Sequence, residues 1–200
     1  MPPADLDALV ARTEGLQPWR RVFHAANGIA IVVVLILLAP PQSVVLVVLG
    51  AITTALFVLD WVRFRLPAVN RIFFGLLHPF ASPREARGVA SSSWYMLGCL
   101  LTLALFPRAT AIAAILVLAI ADPLASYIGR RWGRRPFGSG TVEGSLVFAT
   151  TALGVLGFFA DLPVAAGVAV TTALAERIPW PVDDNLVVPL VVGAILTLVG

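Results

Sequence analysis

Acidic side chains stand at four points of a chain that is otherwise almost uninterrupted apolar sequence. Asp122 breaks the run from Ala109 to Gly129, Glu143 opens the run that continues from Gly144 to Ala160, Glu176 closes the run from Leu162 to Ile178, and Asp183-Asp184-Asn185 opens the last run. An ionisable group inside an apolar span costs at least ~2.5 kcal/mol at the bilayer centre, so such positions carry information. All four fall near helix ends on one side, which places carboxylates at one depth beside the cluster Arg130, Arg131, Arg134 and Arg135. Carboxylates, arginines and glycines together are the makings of a metal-nucleotide site. Asp122, Ala125, Ser126 and Gly129 follow i, i+3, i+4, i+7 and share one helix face. The segment Gly129 to Ser145, GRRWGRRPFGSGTVEGS, spreads five glycines among arginines and hydroxyls before a helix begins. Glycine-rich backbone leading into a helix N-terminus offers N–H groups and a positive dipole end to phosphate oxygens.

Each feature also has a plainer reading. Asp122 can close the bundle as a salt bridge, Glu143 is favoured at a helix start by the dipole alone, and a four-arginine loop serves as a topology signal or a contact for anionic lipid. Near the N-terminus, Arg20, His24, Asn27 and Gly28 share a face. His24 there can take a proton from a hydroxyl, hold a phosphate, or line a wall. Gly88, Ser91, Ser92, Tyr95, Cys99 and Thr102 form a second stripe, which suits close helix packing or a substrate path.

The elements that must position these groups follow from composition. The 200 residues are 59% hydrophobic and 12% charged, against about 25% charged in a soluble globular chain, which excludes a water-soluble fold. Between Val22 and Leu59 no charge occurs, and Pro40-Pro41 cuts the run into two helices of 18 residues each. Gly88 to Pro107, Ala109 to Gly129, Gly144 to Ala160, Leu162 to Ile178 and Asn185 to Gly200 supply five more. We expect an all-α polytopic membrane bundle of about seven transmembrane helices. With the N-terminus cytoplasmic, 13 of the 14 arginines fall in inner loops and only Arg108 falls outside, as the positive-inside rule requires. Residues 1–19 form a cytoplasmic segment with a short interfacial helix around Leu6, Leu9 and Val10, and 20–200 form a single transmembrane domain. Phe73, Phe74, Leu76, Leu77 and Phe80 mark a second surface segment.

Every basic residue is arginine. That excludes Schiff-base chemistry on lysine and the P-loop lysine. The net charge of +3 accompanies no nucleic-acid-binding pattern, and Cys99, alone in an apolar run, is a packing residue with no partner for an intrachain disulfide.

Three segments, in order, resemble the CTP-dependent lipid-alcohol kinase family that includes dolichol kinase, phytol kinase and the yeast-type diacylglycerol kinase. Arg20-Arg21-Val22-Phe23-His24 with Gly28 is similar to that family's basic pair, histidine and glycine at the first helix. Asp122-Pro123-Leu124-Ala125, Gly129-Arg130, Gly133 and Thr141-Val142-Glu143-Gly144-Ser145 are similar to its D-x-x-A, G-R-x-x-G and K-[ST]-x-E-G-S elements. Ala175-Glu176, then Asp184-Asn185-Leu186 and Pro189, are similar to its A-E and D-N-L-x-x-P ending. At one position the chain departs: Gly140 stands where the family has lysine, which moves a phosphate contact, with Arg134 and Arg135 as its nearest replacements.

The resemblance implies transfer of the terminal phosphoryl group of CTP to the hydroxyl of a membrane lipid alcohol of polyprenol, phytol or diacylglycerol type, with Mg2+. Phosphoryl transfer is mostly positioning and charge neutralisation. Asp122, Glu143 and Asp184 are the metal candidates, since Mg2+ favours one or two carboxylates with phosphate oxygens and water. Arg21, Arg130, Gly133, Arg134, Gly140, Thr141, Gly144 and Ser145 are the nucleotide candidates, and Asn185 orients a ligand or binds the base. Asp122 also counts among the catalytic candidates, with His24 or Glu176 to activate the alcohol. The lipid enters sideways between helices with its tail in the bilayer.

Two alternatives remain open at this point. One is a CTP:phosphatidate cytidylyltransferase, whose Asp, Gly-Arg and Glu-Gly region is similar but whose C-terminal signature needs lysines. The other is a non-enzymatic scaffold that kept the fold. The arginine and alanine bias is compatible with a bacterial inner membrane and a site facing the cytoplasm, and small-residue faces permit a homodimer.

Overall fold

The alanines of one long helix decide where the core lies. In the computed structural model, which describes residues 6–199, nine α-helices follow in chain order among the described residues: α1 (Leu6–Ala11), α2 (Pro18–Leu37), α3 (Gln42–Arg65), α4 (Pro67–Leu77), α5 (Ser91–Leu105), α6 (Arg108–Trp132), α7 (Val142–Leu156), α8 (Leu162–Ala175) and α9 (Asp184–Val199). On α6, Ala111, Ala113, Ala114, Ala119, Ala121 and Ala125 are all buried. Side chains this small let neighbouring backbones come close. α6 accordingly sits at the centre, packed by α2, α7 and α9, while α8 bridges α7 to α9 and α5 bridges α9 to α3. The first five residues of the expected N-terminal segment, and Gly200 at the end of the last expected span, lie outside the described residues.

The expected seven apolar helices are α2, α3, α5, α6, α7, α8 and α9, so the chain is a helical membrane bundle. The two surface segments are α1 and α4, whose Leu9 and Phe74 are buried together with Ala81, just beyond α4. Three helices, α2, α3 and α6, are long and apolar enough to cross a membrane. Of the others, α9 keeps its expected length of 16 residues, while α5, α7 and α8 are shorter than the sequence runs predicted. α5 has 15 residues and α8 has 14, or about 21–23 Å of helix against a hydrocarbon core of about 30 Å. Extended backbone at Ala90 and Phe106 trims α5 at both ends, and Glu176 caps α8 before the run of apolar residues is spent.

Contacts at the helix ends fix an alternating up-and-down course. At one end Arg20 donates to Ser91, Arg21 to Ser126, and Ser139 to the Glu176 carbonyl. At the other, Arg108 donates to the Pro40 and Leu35 carbonyls and Gln42 to the Leu103 carbonyl. The first end gathers every described arginine except Arg108. It also carries four exposed tryptophans, Trp19, Trp61, Trp132 and Trp180, the residue type that collects at membrane–water interfaces. Between the two ends, large apolar side chains such as Val47 face outward at 71% exposure.

An ion pair absent from the sequence reading knits the polar end. Arg63 is 1% exposed. Its Nε donates to Asp60 Oδ1 at 2.6 Å, and its Nη atoms donate to Asn70 Oδ1 at 3.1 Å and to the carbonyls of Glu85 and Gly88 at 2.5 and 2.6 Å. Asp60 Oδ2 in turn accepts from the Ala90 amide and the Ser93 hydroxyl. The end of α3, α4, the 3-10 turn Pro83–Ala86 and the start of α5 are thereby tied to one buried centre.

Candidate functional site

A polar cavity of about 230 Å3 opens at this end, between the C-terminal part of α6, the start of α7, the C-terminus of α8 and the start of α9. Local sequence explains how each wall arises. After α6 ends at Trp132, Pro136-Phe137 and Gly140-Thr141 pair as a minimal antiparallel hairpin, with Pro136 opposite Thr141 and Phe137 opposite Gly140. Gly138 takes φ +55° at its turn, a conformation that favours glycine. The hairpin docks on the end of α8, where the Ser139 amide donates to the Arg177 carbonyl at 3.1 Å. Thr141 then caps α7, accepting from the Gly144 amide at 3.2 Å, one of the donors a helix start leaves free. Gly144 lies against Gly129 and the Ala125 carbonyl, so α6 and α7 meet almost backbone to backbone.

Most of the expected residues converge here. Asp122, Glu176 and Asp184, from three helices far apart in sequence, line the cavity with Arg130, Gly140, Thr141 and Gly144. The cavity also has Arg84, Ser126, Ser139 and Arg177 on its wall. Arg84 carried no signal in the sequence beyond its topology charge, and reaches the site because the Asp60–Arg63 pair anchors its 3-10 turn. Glu176, 5% exposed, is ion-paired with Arg177. Burial pushes its carboxyl above the ordinary range, and the Arg177 guanidinium opposes that shift.

Other candidates lie elsewhere. Glu143 is turned away, its carboxylate accepting from the Arg135 amide at 3.4 Å. Arg134 is exposed outside the cavity, and Ser145 bonds back to the Thr141 carbonyl. Gly133 ends α6 and packs on Thr141. Arg21 is buried behind the wall, its guanidinium donating to Ser126 Oγ at 2.9 and 3.2 Å. Asn185 is buried, donates to Asp183 Oδ1, and leaves its own Oδ1 without a partner. His24 is buried one turn further along α2, its ring 5.1 Å from that of Tyr95, and it lines a different cavity.

Among the described residues no three His, Cys, Asp or Glu side chains converge as a ready-made metal cluster. Two carboxylates, Asp122 and Asp184, do share the cavity with arginines suited to phosphate oxygens. That donor set fits Mg2+, which completes its shell with phosphate and water, and would not by itself enclose Ca2+ or hold Zn2+.

Fold and cavity thus define a polytopic membrane protein with an acid-and-arginine pocket at the interfacial end. Comparison with known proteins agrees. The chain is 27% identical over 169 residues to the CTP-dependent diacylglycerol kinase 1 of Schizosaccharomyces pombe, covering 70% of this chain and 74% of that protein. It is 28% identical over 137 residues to an uncharacterized protein of Rickettsia prowazekii, covering 67% of this chain and 66% of that one. No protein-family model matches the chain, and no solved structure matches it. The resemblance to the CTP-dependent lipid kinases is therefore borne out, at a distance.

Proposed function

We propose that this protein is an integral-membrane kinase that moves the terminal phosphoryl group of CTP to the hydroxyl of a lipid alcohol, working at the cytoplasmic face of a bacterial inner membrane. The observation that carries the reading is the meeting of Asp122, Asp184 and Glu176 with Arg84, Arg130 and Arg177 in one cavity. Diacylglycerol is the first acceptor to try, since the yeast relative is named for it.

The residues divide the work. Arg84, Arg130 and Arg177 neutralise the triphosphate, and the α7 N-terminus adds the positive end of its dipole, its Val142 and Gly144 amides being taken by the Arg135 carbonyl and Thr141 Oγ1. Asp122 and Asp184 would hold Mg2+, which would supply screening of the phosphate oxygens and of the charge that develops on the leaving group. The lipid oxygen forms a bond to the terminal phosphorus, the bond from that phosphorus to the bridging oxygen breaks, and CDP leaves with the electron pair. The hydroxyl proton passes to a base of the protein and then to water. Glu176, in the cavity but ion-paired with Arg177, and His24, in the neighbouring cavity, are the two alternative bases. Asn185 supports the start of α9, and so the placement of Asp184, from behind.

The test is an assay of the purified protein in lipid with CTP labelled in the base or the terminal phosphate, Mg2+, and a panel of diacylglycerol, phytol and polyprenol. CDP and a phosphorylated alcohol are expected. Pyrophosphate with a CDP-lipid would assign a cytidylyltransferase instead, and neither product, with no binding of CTP, would leave a scaffold.

A further inference from the structure

Although α2 and α3 are joined by a turn of four residues, 38–41, they scarcely pack on each other, because α2 lies on α6 and α3 lies on α5. The gap between them holds two cavities of about 350 Å3 each. Asn27, Ile52 and Met96 line both, so the two are segments of one groove. Its composition changes along its length. The part toward Pro40 is walled by side chains such as Val34, Val45 and Leu49. The part at the arginine-rich end adds His24, Asp60, Glu85 and Ser93 among phenylalanines.

The polar head of the groove abuts the nucleotide pocket. Adjacent residues of one 3-10 turn face the two sides, Arg84 lining the pocket and Glu85 lining the groove. Arg20 stands beside Glu85, its guanidinium 3.8 Å from that carboxylate and donating to Ser91 at 2.6 Å. His24 is 6% exposed, aims into the groove head, and makes no ring hydrogen bond to another described residue. A groove that is apolar for most of its length and ends in buried polar groups is complementary to a long-chain amphiphile whose polar end is a small, uncharged hydrogen-bonding group. A phospholipid headgroup would bring a charged phosphate into a buried head whose cations are already paired, Arg63 with Asp60 and Arg20 with Glu85, so its desolvation would go uncompensated.

We propose that one apolar chain of the acceptor lipid lies in the groove between α2 and α3, with its hydroxyl at His24 and Glu85. This inference rests on the reading of the chain as a lipid-alcohol kinase and adds the acceptor's path and its recognition. The hydroxyl is delivered over the 3-10 turn to the phosphates, and selection is for a long chain with a neutral alcohol end.

The test keeps binding and turnover apart. The full-length protein in nanodiscs is photolabelled with hexadecanol bearing a terminal diazirine, and in parallel with a diazirine-tailed phosphatidylcholine, and adducts are mapped by mass spectrometry. Adducts of the alcohol concentrated on Ile31, Val34, Val48 and Ile52, competed by unlabelled hexadecanol or diacylglycerol and several-fold above those of the phospholipid, are expected. Equal labelling by both probes, or labelling concentrated on Ile29, Ile120 and Leu124 in the cleft between α2 and α6, would overturn the proposal. Ala30→Phe and Ile52→Trp fill the groove from opposite walls at exposed, lipid-facing positions. Each is expected to raise KM for the alcohol about tenfold, the equivalent of ~1.4 kcal/mol, and to leave CTP affinity unchanged. An unchanged KM in both variants would overturn the proposal. Labelling of the groove in a protein that turns over no alcohol would instead sink the kinase reading and leave the lipid groove standing.

Discussion

The guanidinium of Arg177 occupies the space into which a side chain at position 140 would project, and a Cβ built on Gly140 falls on its Nη1. The family resembled by this chain has lysine at that position. A cation stands in that place here all the same, reaching it from the end of α8, across the hairpin, on a residue 37 positions later in the chain. Arg134 and Arg135, the nearer replacements in sequence, do not line the cavity. Gly140→Lys alone is therefore expected to displace Arg177 and weaken CTP binding about tenfold or more, since a charge-assisted contact contributes ~1.5–3 kcal/mol. Arg177→Ala is expected to weaken it similarly. The double variant places an ammonium beside Glu176 again and should recover part of the loss. Isothermal titration with CTP checks the cycle, and strictly additive losses would refute the exchange.

Asp122 and Asp184 face the cavity while Glu143 does not, so the three metal candidates separate by experiment. Asp122→Asn and Asp184→Asn should each lower kcat by about a hundredfold or more, in keeping with loss of a group that neutralises transition-state charge, and raise the Mg2+ concentration needed for half activity. Glu143→Gln should change kcat by less than about threefold, because near the α7 N-terminus its contribution is a dipole and amide contact of ~0.3–1 kcal/mol. A Mg2+ titration of the three variants, with circular dichroism to confirm folding, decides the matter. Equal defects in all three would restore Glu143 to the site.

The sequence made the helices legible because burial in lipid demands long apolar runs and because the arginines mark one end. The pocket was legible in part for the same reason: Asp122, Glu176 and Asp184 are costly inside apolar runs and so stand out. What could not be read is lateral. Arg84 and Arg177 looked like topology charges, and only packing turns them into the cavity. His24 shares a helix with Arg21, yet a single turn moves it from behind the nucleotide pocket into another space. Asp60 lay at the border of an apolar run, where one charge attracts no notice. Its pairing with Arg63 depends on how the end of α3 meets α4 and α5, and no local pattern encodes that.

The Asp60–Arg63 pair predicts a stability effect distinct from catalysis. Asp60→Asn keeps the shape but leaves the buried Arg63 without its counter-charge, which costs about 3–5 kcal/mol when one partner of a buried pair is removed. For a chain of this size that corresponds to a fall in Tm of roughly 6–20 °C. Arg84→Ala, on the turn that Arg63 anchors, should leave Tm nearly unchanged and weaken CTP binding instead. A Tm for Asp60→Asn within about 2 °C of the unmodified protein, the shift of an ordinary surface substitution, would show that the pair does not hold this end together.

Glu85 gives the protein a stability profile that runs opposite to that of a salt-bridged surface carboxylate. Burial, 4% exposed, pushes its carboxyl above the ordinary range, and Arg20 and the Ser91 amide only partly oppose the shift. A group whose pKa is raised on folding binds its proton more tightly in the folded state. Its contribution is complete below the unfolded value and is lost as pH rises through the folded one. Tm is thus expected to fall as pH climbs out of the ordinary carboxylate range, with Glu176 adding a smaller change of the same sign. Glu85→Gln holds the neutral form at every pH, so it should reduce that slope and raise Tm at pH 8 relative to the unmodified protein. Thermal unfolding in detergent between pH 4 and pH 8 measures both quantities. A slope unaltered by the substitution would mean that Glu85 is ionised throughout and held by Arg20 as an ordinary ion pair.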